Sequence, residues 1–87
     1  MNAYHLTVAT PNGNLFDGDA TFLSLRGSEG DLAVMAGHAP FVTGVQAGEI
    51  TIEFADGTVR GGTADGGLLT VDKDAVTLLA SSFKWDE

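Results

Sequence analysis

The side chains able to do chemistry are few, and their spacing argues against most of it. A serine nucleophile needs a sharp Gly-x-Ser-x-Gly elbow or a histidine supported by a carboxylate, and neither is present. His5 lies in an alternating stretch and His38 in a Gly-His-Ala-Pro turn, with no acidic residues at ligand spacing, so both read as structural and not as zinc ligands. The pairs Asp17/Asp19 and Asp72/Asp74 offer oxygen ligands, but an EF-hand loop with its terminal glutamate is absent, and they read as solvated turn residues. Gly61-Gly62 and Gly66-Gly67 lack a phosphate-loop lysine and lead into a strand instead of a helix N-terminus, so they read as turns. With no cysteine in the chain, disulfides, thiolate metal sites and thiol nucleophiles are all excluded. These residues predict a non-catalytic protein without cofactor or metal.

The elements that would carry these residues read as strands. Tyr4, Leu6 and Val8 alternate with polar neighbours, and Pro11-Asn12-Gly13 supplies a turn. After Asp17-Gly18-Asp19, the stretch Ala20 to Arg26 sets Thr21, Leu23 and Leu25 on one face and Phe22 and Ser24 on the other. Gly27 to Gly30 reads as a loop, Asp31 to Ala36 as a strand ending at Gly37, and Pro40 biases the entry to Phe41–Thr43 toward extended geometry. Ile50, Ile52 and Phe54 form a further strand, with Asp56-Gly57 suited to a tight hairpin that returns over Thr58 to Gly61. Leu68–Val71 and Val76–Ala80 make a closing pair through Asp72-Lys73-Asp74. Strand signals every ~8–12 residues, without repeat or linker, predict an all-β fold: one small β-sandwich or flattened barrel of about ten mostly antiparallel strands. The expected domain covers residues 1–82, and 83–87 reads as a short frayed tail. Trp85, near that tail, either contacts a partner or folds back on the sandwich.

An 87-residue chain suits a single small domain that buries roughly 60% of the surface its unfolded form exposes. No run approaches the ~18 apolar residues of a membrane-spanning helix, and no basic segment followed by an apolar stretch opens the chain. The formal charge of −8 repels phosphate backbones and anionic lipid, which excludes nucleic acid and direct membrane insertion. A basic protein partner fits that charge, and so does simple solubility.

Read in order, Tyr4-His5-Leu6, Phe16-Asp17-Gly18, Gly27-Ser28-Glu29-Gly30-Asp31-Leu32, Gly37-His38-Ala39-Pro40, Gly48-Glu49-Ile50, and Gly66-Gly67 with Val76 to Ala80 form a series. It resembles the epsilon subunit of F-type ATP synthases over about residues 4 to 82. The pairing of the Gly-Ser-Glu-Gly loop with Gly-His-Ala-Pro shortly after it is the specific part.

That resemblance implies a β-sandwich at the foot of the central stalk, between the gamma subunit and the ring of membrane c subunits. The chain would then be a non-catalytic rotor subunit that links gamma to the c-ring for assembly and coupling of proton-driven ATP synthesis. It also implies that Ser28, Glu29, Gly30 and Asp31 face the polar loops of the ring, with His38 and Pro40 shaping the same end. The implied location is peripheral, on the cytoplasmic face of a bacterial membrane or the stromal thylakoid face in a plastid. Longer members of the family continue into a two-helix hairpin that inhibits ATP hydrolysis. Here the sequence ends at Glu87, where the hairpin would begin, so the expectation is coupling without that inhibition. The competing expectation is a free-standing β-sandwich that binds carbohydrate or calcium.

Overall fold

A computed structural model describes residues 3–28, 30–37 and 39–86. These form nine strands and no helix: β1 (Tyr4–Thr10), β2 (Gly13–Gly27), β3 (Gly30–Met35), β4 (Phe41–Val45), β5 (Gly48–Phe54), β6 (Val59–Ala64), β7 (Gly67–Val71), β8 (Ala75–Ala80) and β9 (Phe83–Trp85). The 15-residue β2 organises the fold. Its first half pairs with β1, and its second half pairs with β3 on one edge and β5 on the other. One layer is therefore β2-β1-β8-β7-β4 and the other β3-β2-β5-β6-β9, with a bridge between Gly27 and Val45 joining β4 back to β2. Pairing is antiparallel throughout the described strands except between β1 and β8. The expected all-β sandwich is the fold, with β2 serving both layers.

Alternation does the burying. Leu6 and Val8 of β1, Leu23 and Leu25 of β2, Ile50 and Ile52 of β5, Leu69 and Val71 of β7 and Val76 and Leu78 of β8 join one core from both layers. Each is separated from its partner by one outward residue, as a pleated strand requires. The β5–β6 hairpin also forms where Asp56-Gly57 predicts it. Gly57 takes a φ of 90°, and the Asp56 carboxylate accepts the Thr58 N–H at 2.9 Å. That backbone hydrogen bond holds the Asp56 carboxyl below its usual range.

Three local expectations are corrected. Asp17-Gly18-Asp19 is no break: β2 runs through it, with Asp17 opposite Thr7 and Asp19 opposite His5. The aspartates occupy outward positions of the strand, and a Cβ on Gly18 would stand 3.0 Å from the Phe16 ring, so the glycine makes room for that ring. Gly61 and Gly62 lie inside β6 instead of in a turn, because the Phe83 ring lies where a Gly62 side chain would be. Finally, Phe83–Trp85 is not a frayed tail but a strand on β6, in the register Gly62↔Trp85, Thr63↔Lys84 and Ala64↔Phe83. Trp85 folds back: its ring meets Phe83 edge-on at 4.9 Å and lies under the Arg60 guanidinium at 4.1 Å.

Candidate partner interface

The loop singled out by sequence is the end of the β2–β3 hairpin. Gly27 faces Gly30, and Gly30 has a φ of 128°, a conformation that glycine adopts without strain. The hairpin end is pinned to β4. Ser28 N–H donates to the Gly44 carbonyl at 3.0 Å, the Ser28 and Thr43 hydroxyls are 3.3 Å apart, and the Gln46 amide donates to the Ser28 carbonyl at 3.3 Å. Asp31 opens β3 and meets Arg26 across the hairpin at 3.4 Å, but their side chains are 81% and 59% exposed. Solvent screens such a pair, so the Asp31 carboxylate stays open to an external cation. Pro40 is exposed and leads directly into β4. Ser28, Gly30 and Asp31 thus share one end of the hairpin, beside β4. Glu29 and His38 lie outside the described residues.

A second surface was not legible as a site. The register places Val42 beside Thr70, Leu68 beside Leu79, and Thr70 beside Thr77 on the outer face of β4-β7-β8. Val42, Leu68 and Leu79 are 62%, 42% and 48% exposed. Thr7 and Ala9 of β1 continue the face, and beyond Leu68 and Leu79 a shallow groove of about 450 Å³ runs to Pro11. None of these residues is charged, in a chain whose net charge is −8. Charge returns at the β1–β2 rim, where the His5 ring lies 2.5 Å from Asp17 and 3.9 Å from Asp19. A flat, uncharged sheet face bordered by polar groups is suited to docking protein and offers nothing to bonds or protons. The sequence did carry a signal for it. Leu68-Leu69 and Leu78-Leu79 are doublets, and in a strand only one leucine of such a pair can face the core while the other points away from it.

Neither a metal cluster nor a carbohydrate platform is assembled among the described residues. Among the described residues no three His, Asp or Glu side chains gather as metal ligands. A carbohydrate platform would need an exposed aromatic plane. Tyr4 is buried, and Trp85 is covered by Arg60.

The family described as ATP synthase, delta/epsilon chain, β-sandwich domain matches residues 3–86. The chain belongs to that family. It is 36% identical over 84 residues to the ATP synthase epsilon chain, sodium ion specific, of Acetobacterium woodii, covering 97% of this chain and 63% of that one. It is 39% identical over 79 residues to the ATP synthase epsilon chain of Campylobacter fetus, covering 91% and 61%. The chain therefore spans about three fifths of the curated relatives it matches. The same fold, at 20% identity and a TM-score of 0.89 over 95% of this chain and 53% of the other, occurs in the structure of the Euglena gracilis mitochondrial ATP synthase OSCP/F1/c-ring assembly. Among the described residues no helix is long and apolar enough to cross a membrane.

Proposed function

We propose that this domain is a non-catalytic rotor component of an F-type ATP synthase, clamped between the gamma subunit and the c-ring. The observation that carries the reading is the uncharged outer face of β4-β7-β8, with Val42, Leu68 and Leu79 exposed. Burial of those side chains favours a permanent, largely apolar contact, which is what a shaft subunit must make if torque is not to slip. Gamma is the partner assigned to this face. The ring is assigned to the hairpin end at Ser28, Gly30 and Asp31 together with Glu29, His38 and Pro40, where the exposed Asp31 carboxylate meets basic or polar loops. That end sits on a core whose Leu6, Leu23, Ile52, Leu69 and Leu78 are fully buried, so load passes through close-packed side chains that deform little. The domain itself carries no step of ATP chemistry and sits at the cytoplasmic or stromal surface of the coupling membrane.

The test is co-purification with the gamma subunit of the same organism on size exclusion, at low and high salt. A 1:1 complex that survives high salt is expected, because an apolar contact is not screened. Leu79→Asp should weaken it by about tenfold or more, while Thr51→Asp, on the outer face of the other layer, leaves it intact. A complex unaffected by Leu79→Asp, or no complex between two folded proteins, overturns the assignment.

A further inference from the structure

Among the described strands β3 ends its layer and pairs with β2 alone. Which of its backbone groups are spare follows from the hydrogen-bond phase. Gln46 N–H donates to the Arg26 carbonyl, turning that carbonyl toward β4 and away from β3. With Gly27 facing Gly30 and the antiparallel ladder alternating, Leu32 and Val34 bond to β2, whereas Asp31, Ala33 and Met35 turn their N–H and C=O groups outward. Exposed edges are usually blunted by lysine, proline or a bulge. The sequence from Gly30 to Met35 contains no lysine or proline, and its pairing runs without a register shift. Its one charge is Asp31.

Beside this edge, a groove of about 360 Å³ separates Gly30–Leu32 from Phe41–Thr43. Leu32 and Phe41 form its apolar wall, and Asp31 stands at its mouth on the opposite side of the pleat. We infer that the β3 edge accepts an extended segment of a protein partner as an added strand, and that the segment alternates apolar and basic residues. Main-chain bonds to Asp31, Ala33 and Met35 hold the segment, as in other strand-addition complexes. Its inward apolar side chains then fall into the Leu32–Phe41 groove, and its outward lysine or arginine side chains fall beside Asp31. Charge favours such a segment over a second copy of this chain, because two copies of net charge −8 would bring two Asp31 carboxylates to one edge. The inference rests on the reading that this end of the molecule meets a partner, and it names how.

The test uses the whole chain, labelled with ¹⁵N, and a blocked eight-residue peptide alternating valine and lysine. The control is the same peptide with proline at its two central valines. At saturation the amides of Asp31, Ala33 and Met35 should exchange about tenfold more slowly, while those of Leu32 and Val34, already bonded to β2, stay as they were. Asp31→Lys should weaken the peptide roughly fivefold at low salt. Ala33→Pro, which removes one edge donor while keeping the strand, should abolish the protection. Equal binding of both peptides, or protection confined to other strands, overturns strand addition. So does concentration-dependent protection of the same amides without peptide, since it assigns the edge to self-pairing. Loss of strand addition with the gamma complex intact refutes this inference alone.

Discussion

Replacing Tyr4 by phenylalanine removes one hydroxyl that ties the first strand to the hairpin carrying the candidate loop. The hydroxyl donates to the Val34 carbonyl at 2.8 Å, across 30 residues of chain, and Tyr4 is only 6% exposed. A buried neutral hydrogen bond contributes about 1 kcal/mol, so Tyr4→Phe should cost about that much at pH 8, or a fall in Tm of roughly 4–8 °C for a domain of this size. The pH dependence gives a sharper signature. Burial pushes the Tyr4 hydroxyl well above its ordinary value of about 10. The folded state therefore favours the protonated phenol. Its stabilising effect is complete below pH 10 and falls as pH climbs toward the folded value, by about 1.4 kcal/mol per pH unit. The wild-type advantage should accordingly vanish near pH 11, and the two stability curves should cross. Tyr4 is the chain's single tyrosine, and all other titrations are common to both proteins and cancel. Urea unfolding of both proteins from pH 8 to 11 reads the difference, and tyrosinate absorbance of the folded protein reads the ionisation directly. A phenol that ionises near pH 10 in the folded protein, or two stability curves that stay parallel to pH 11, would refute the reasoning.

Two further predictions concern backbone and turn. Gly67→Ala would drive a Cβ into the Leu79 carbonyl oxygen and to 2.9 Å from the Ala80 Cα, so a loss of about 3 kcal/mol or more is expected in urea unfolding. Gly44→Ala, whose Cβ would meet only the Ser28 Cβ at 3.8 Å, should change stability by less than about 0.5 kcal/mol and serves as the control. Asp56→Ala should lower Tm at neutral pH. Because the Asp56 carboxyl is depressed in the folded state, its contribution is present above the ordinary carboxylate range and lost as pH falls through the folded value. The difference between Asp56→Ala and wild type should therefore shrink as acid is added, which a Tm series from pH 7 to 2 would show.

Most of the fold was open to reading because strands declare themselves locally. Tyr4-Leu6-Val8 and Ile50-Ile52-Phe54 alternate, and Asp56-Gly57 supplies the backbone freedom that a tight turn demands. The loop Ser28 to Asp31 was equally visible as glycine and charge between two apolar runs. Two places misled. Asp17-Gly18-Asp19 has the composition of a turn yet lies within β2, since His5 and Thr7 on the neighbouring strand give its polar side chains a place on the outer face. Phe83-Lys84-Trp85 carries too little pattern to announce a strand by itself. Its partner, the Gly62-Thr63-Ala64 segment of β6, is about 20 residues away in sequence.

The amino-acid sequence on its own settled the class of fold: all-β, cysteine-free, acidic, without a Gly-x-Ser-x-Gly elbow and with a recognisable loop pair. Those properties depend on residue type and on spacing over a few positions. Tertiary structure decided which faces remain outside once the layers close. Leu68 and Leu69, or Leu78 and Leu79, are chemically identical neighbours, and only the pairing of β7 with β4 and β8 makes one of each core and the other surface. Which residues of β3 carry its spare backbone groups is likewise set by the phase in which β2 turns its Arg26 carbonyl to β4. Exposure and edge pairing depend on where distant segments come to lie, and a linear pattern carries no record of that.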